Sequence, residues 1–218
     1  MTGFRRSQLA RTGDCSQNPR QGRDECHGDF TPTDGQSIIR AATANEGNGT
    51  IMKPDDIVKS WSANDLRRWP VQCLLDVAIP EPSKSFLVEV GLPVYSDVGF
   101  QFHPLVGDPP RLAGRPHLRS IGRMFEAALV CLDEQADGHV ILVDPSLRYL
   151  NSRVDRFAAC LILYLQLRAI AQRSRPTEIP KEFAARFERD LLNVDPTLFS
   201  DPENFWAVIV WEMKQGLG

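Results

Sequence analysis

Hydrophobic spacing divides this chain into stretches of different period. Pro54 suits a first helical turn, Asp55 and Asp56 place carboxylates near exposed backbone donors, and Ile57, Val58 and Trp61 form one apolar face; together they predict a short helix. A weaker segment of the same kind runs from Asn64 to Trp69 until Pro70 interrupts it. In PSKSFLVEVGLP, Phe86, Leu87 and Val90 repeat at helical spacing before Gly91 and Pro93 stop the pattern. The period then drops toward two. Phe100 and Phe102 bracket a glutamine, and HLRSIG, FEAALVCLDE and GHVILVD read as strands separated by proline, glycine or acidic turns. DEQADG, between Leu132 and His139, suits a loop joining two antiparallel strands, and Leu147, Tyr149 and Leu150 supply one more short strand.

Helical spacing returns in the last third of the chain. Ser152 and Asp155 fit an S-x-x-D capping box, after which Val154, Phe157, Ala158, Leu161 and Leu165 form one stripe and Ala159, Cys160, Ile162 and Leu163 make the other sides apolar. A helix apolar all round belongs at the centre of a domain. Phe183, Phe187 and Leu191 recur every fourth residue in KEFAARFERDLL, where Glu182 and Arg186 form an acid-to-base pair. A final helix covers ENFWAVIVWEMKQ, begun by Asp201 and Pro202 and ended by Gly216. Its Phe205, Trp206 and Trp211 are read as tail-end core. Helices, then strands, then helices define an α+β fold, with helices packed beside a small, largely antiparallel β-sheet.

Residues 1–51 follow another rule. Seven glycines, two aromatics and no repeated apolar spacing leave too little surface to bury against the entropy of ordering. They are read as a disordered extension, and 52–218 as one domain. The same shift makes Met52 a candidate translation start. Over all 218 residues, 42% apolar content is enough for a core, and a formal charge of −3 gives no general attraction to nucleic acid or to an anionic membrane. No apolar run follows MTGFRRSQLA as a secretory signal requires, and AACLILYL and FEAALVCL are too short to cross a bilayer. These features point to the cytoplasm.

Candidate chemistry is thin. Cys73, Cys131 and Cys160 sit in apolar surroundings and read as reduced structural thiols. Cys15, Cys26 and His27 lack a second ligand pair at zinc spacing, and His103, His117 and His139 are dispersed; no metal or cofactor is expected. The glycines of VGLP, VGDPP and LAGRP match no phosphate-binding pattern, and Arg111, Arg115 and Arg119 form only a modest basic series. Asp133, Glu134 and Asp137 share one hairpin-loop sequence, where water would screen and ionise them, so a solvated or partner-facing loop fits better than an acid–base pair. Asp144 with Pro145 reads as a turn. No catalytic residue is assigned.

The ordered segments FLVEVGLP at 86–93, FQFHPL at 100–105, IGRMFEAALVCLDEQADGHVILVDP at 121–145 and LNSRVDRFAACLILY at 150–164 carry a resemblance to the SUKH superfamily. Within it, the chain resembles the bacterial immunity proteins of polymorphic toxin systems. That resemblance implies the same α+β fold and a non-enzymatic protein that binds and neutralises a cognate toxin domain, one to one. Such toxins commonly act on nucleic acid, as deaminases or nucleases, while the immunity protein itself would need no cofactor and touch neither nucleic acid nor membrane. Other members are interaction scaffolds, which is the second reading; an unrecognised enzyme is the third. A basic toxin would gain encounter rate from a local acidic patch. The candidates for toxin contact are Asp133, Glu134 and Asp137, with Glu126 as a fourth.

Overall fold

The computed structural model describes residues 54–94, 96, 99–102, 110–125, 127–174 and 181–216. The expectations placed on residues 1–51, Met52, the Cys15, Cys26 and His27 group, His103 and Glu126 lie outside the described residues. Within them run α1 (Pro54–Ser60), β1 (Leu66–Arg67), a 3-10 turn (Val71–Leu74), α2 (Glu81–Glu89), β2 (Leu92–Pro93), β3 (Phe100–Phe102), β4 (Arg111–Leu112) and β5 (Arg115–Met124). They continue through β6 (Ala128–Asp133), β7 (His139–Asp144), β8 (Ser146–Asn151), α3 (Val154–Ser174), α4 (Lys181–Val194) and α5 (Phe205–Lys214). β3, β5, β6, β7 and β8 form an antiparallel sheet in that order, β4 also pairs with β5, and β1 pairs with β2 in a separate ribbon. The chain is an α+β protein.

Side-chain alternation sets the layers. Phe100 and Phe102 on β3, Ala128, Val130 and Leu132 on β6, and Val140 and Leu142 on β7 join one buried cluster with the helices. α3 packs against α1, α2 and α4 as well as β7 and β8, so its apolar surround is used on every side: Val154, Phe157, Cys160, Leu161 and Ile162 are all buried. The Phe157 ring meets Phe100 edge-on at 5.3 Å and Phe102 at 5.9 Å. On the far side Tyr164 lies 5.9 Å from both Phe187 and Trp206. The Phe–x–Phe alternation and the central helix thus form one contact.

Several local expectations needed correction. Asn64–Trp69 contains β1, not a helical segment, because Val94 donates its N–H to the Asp65 carbonyl and Leu66 and Arg67 pair with Pro93 and Leu92. Ser152 does not form the capping box with Asp155; its hydroxyl bonds to Asp195, while Asp155 holds Arg153 at 2.9 and 2.6 Å. Arg186 approaches Asp190 at 3.7 Å, one turn beyond the expected Glu182. In α5, Phe205, Trp206, Val210 and Met213 are buried, but Trp211 falls just past that face and is 57% exposed.

Gly91 closes α2 at φ 86°, and a Cβ there would lie 2.1 Å from the Arg67 carbonyl oxygen. Gly91→Ala is expected to destabilise the protein by at least about 1–3 kcal/mol, from the left-handed backbone alone, read as a lower urea midpoint. Leu161→Ala should lower stability by roughly 2–5 kcal/mol because it empties a fully buried site; an unaltered melting curve would contradict the central placement of α3.

Candidate functional site

The densest polar cluster among the described residues surrounds Asp195, which has no exposed surface. α4 ends at Val194, and Asp195–Pro196 makes the turn that follows. One carboxylate oxygen accepts from Asn151 Nδ2 at 3.1 Å, the Ser152 backbone N–H at 2.9 Å and the Ser152 hydroxyl at 3.0 Å. The other accepts from the Thr197 hydroxyl at 2.7 Å, the Thr197 N–H at 3.3 Å and Arg156 Nη1 at 3.4 Å. With the threonine proton directed to Asp195, the Tyr149 phenol donates to Thr197 Oγ1 at 2.5 Å. Asn151 completes the cluster, since its Oδ1 accepts from the indole N–H of Trp206 at 2.9 Å.

Burial, the largest single influence, pushes the Asp195 carboxyl up, yet the bonds from Thr197, the Ser152 backbone, Asn151 and the Ser152 hydroxyl together hold it below its ordinary value. The anion is therefore kept, and its lone pairs are filled from within the protein. Burial also pushes up the Tyr149 phenol and the thiols of Cys160 and Cys131, the last to about 11. Those directions disfavour thiolate. Cys73, Cys131 and Cys160 are free and buried, as the sequence suggested. Asp195 itself was missed at the level of sequence. Its signal was the Asp-Pro-Thr turn after a helix, in which the carboxylate caps the N–H two residues on.

The acidic hairpin joins β6 and β7, at the opposite end of the sheet from the β5–β6 and β7–β8 turns. Its three acids have different environments. Glu134 is only 9% exposed in its side chain; it meets Arg119 Nε at 3.1 Å and Arg111 Nη1 at 3.5 Å and accepts the Ala78 N–H at 3.1 Å. It is a structural tie between the sheet and the chain leading to α2, not a screened loop carboxylate. Asp133 accepts the Gln135 N–H at 2.9 Å, and Asp137 is exposed at φ 50°, a backbone that aspartate tolerates. Of the basic series, Arg111 and Arg119 converge on Glu134, facing each other across β4 and β5. His117 and His139 lie on β5 and β7 with β6 between them, and His139 and Tyr149 form a T-shaped ring pair at 5.3 Å. Among the described residues no cluster of three or more His, Cys, Asp or Glu is arranged to hold a metal ion, and no helix is long and apolar enough to cross a membrane.

The sheet face away from α3 carries the row Gln101, Arg123, Leu129, Val143 and Leu147 in register. Arg123 donates to the neutral Gln101 amide. Leu147 is 48% exposed, and Phe125, at φ 52° in the β5–β6 turn, is 64% exposed with its ring over Gly99. Aromatic residues rarely hold a positive φ. Spacing picked out Leu147 only as a strand residue and did not single out the others, because it shows a strand's two faces but not which one remains uncovered.

A buried, mutually bonded polar cluster and an acidic hairpin on an antiparallel sheet are the main polar features of this α+β protein among the described residues. A family model for the SUKH-4 immunity protein matches residues 53–212, and the chain belongs to that family. No curated protein and no solved structure matches it.

Asp195 makes acid stability testable. Its folded pKa is lowered, so its stabilisation is complete above the unfolded value of about 3.9 and is lost as pH falls through the folded value. Asp195→Asn should lose about 1–3 kcal/mol at pH 7 by orphaning buried donors and should flatten the fall in stability between neutral and strongly acidic pH. Urea titrations across that range check both effects; an acid limb as steep as in the parent would show that other carboxylates govern it.

Proposed function

We propose that this protein binds and neutralises a cognate toxin domain, one to one, and that the toxin acts on nucleic acid. Membership of the SUKH-4 immunity family supports the immunity role. The observation that carries the binding mechanism is the inward commitment of the Asp195 cluster: its carboxylate, hydroxyls and amide are bonded to one another. A protein organised in this way acts through what its surface meets. It would block the toxin by occupying a site on it.

Within this reading Asp133 and Asp137 form an acidic rim that steers a basic nucleic-acid-processing domain, and Glu134 keeps the hairpin in place through Arg119. Glu126 remains a candidate for the same rim on its charge alone. Rim charges act on encounter rate and contribute little each to the final affinity. Location in the cytoplasm fits a partner that is met beside its nucleic-acid target.

The direct experiment co-expresses the full chain with the toxin domain encoded beside it, scoring growth and measuring the complex by calorimetry. Rescue with unit stoichiometry is expected; a folded, active toxin that neither binds nor is silenced would overturn the reading for that pair. Asp133→Asn with Asp137→Asn should slow association at low salt by about three- to tenfold, without lowering the melting temperature appreciably. Equal association rates would remove the acidic rim from the mechanism.

A further inference from the structure

The two edges of the main sheet are treated differently. At the β3 edge, Phe102 donates its N–H to the Val94 carbonyl, Ser96 donates to the Phe100 carbonyl, and the Phe100 N–H reaches the Ser96 hydroxyl. That edge is capped by the chain's own loop. β8 forms the other edge. Its final residues Leu150 and Asn151 are buried, but Ser146, Leu147 and Arg148 are exposed. Among the described residues, no backbone bond leaves Ser146, Leu147, Arg148 or Tyr149 on the side away from β7, although the half-buried Tyr149 side chain is tied to Thr197.

We infer that the β8 edge over residues 146–149 receives an extended segment of the toxin domain as an added strand. This rests on the immunity reading and adds a contact at the end of the sheet opposite the acidic hairpin, since Ser146 pairs with Asp144 while the hairpin begins where Asp133 pairs with His139. Unpaired ladder groups along an edge select an extended main chain over a helix or a small molecule, because alternate N–H and C=O groups are met in step only by another strand. Side chains then choose among extended segments. Leu147 continues the apolar row of Leu129 and Val143, so an apolar residue on the same face of the added strand would extend that row. Arg148 points to the other face and has no acidic partner among the described residues, which favours a carboxylate opposite it. The free run is short, bounded by Pro145 and by the irregular register opposite Val140 and Ile141. A short run admits one segment and limits open-ended pairing.

The test uses the full chain and the toxin domain encoded beside it, with amide hydrogen exchange read at 146–149 and affinity measured for Leu147→Lys and Arg148→Glu. Both side chains are exposed, and urea melts identify any variant that has lost its fold. Slowed exchange at 146–149 on binding, with at least about tenfold weaker binding by the variants, supports strand addition. Binding and growth rescue without a change at these amides overturn the edge assignment and leave the immunity reading intact. An absence of both binding and rescue overturns the two together. Protection that rises with concentration in the chain alone assigns the edge to a second copy and likewise overturns the proposal.

Discussion

One buried anion fixes the meeting of three parts of the chain. Asp195 would be expensive to hide without partners, and those it finds come from the end of β8, the start of α3 and its own turn. Sheet, central helix and the α4–α5 connection are thereby brought to common coordinates. Asn151 extends the tie to α5 through Trp206, so the helices covering α3 are located by directional bonds as well as by apolar area. Hydrophobic burial holds the layers together; the carboxylate decides how they are aligned.

The layers themselves were legible because their periods are strong. α3 is apolar all round and proved central, and Phe100 with Phe102 alternated onto the face that α3 covers. Strands β5 to β8 followed from alternation punctuated by turn residues. Short elements were less legible: Leu66–Arg67 is a strand because Leu92 and Pro93 lie beside it, a contact no local window contains. Ser152 shows the same limit. Its spacing to Asp155 satisfied a local helix signal, but a carboxylate 43 residues away along the chain took the hydroxyl. Asp195 itself looked like a turn residue, and only packing made it the hub.

The surface divides between charges already committed and charges still available. Arg119, Glu134 and Arg111 are near one another because β4 folds back on β5 and the hairpin turns toward Ala78. A sequence reading grouped Asp133, Glu134 and Asp137 by proximity in the chain. Their side chains divide by direction, with Glu134 on the side of the sheet that meets the α2 layer and Asp137 at the exposed tip. Electrostatic roles at a loop therefore depend on the alternation that the strand before it carries into the turn.

That hairpin is held at both ends. Glu134 fastens its beginning, and at Gly138, where φ is 74°, an added Cβ would come within 3.0 Å of Ile79 and Pro80. Between them Gln135 and Asp137 are exposed and Ala136 is partly so. Substitutions at Gln135 and Ala136 can alter the loop's chemistry with little demand on the core, while Asp137, at φ 50°, is confined to residues that tolerate that backbone. The clamp thus separates the part of the loop that must be inherited unchanged from the part in which a lineage could diversify.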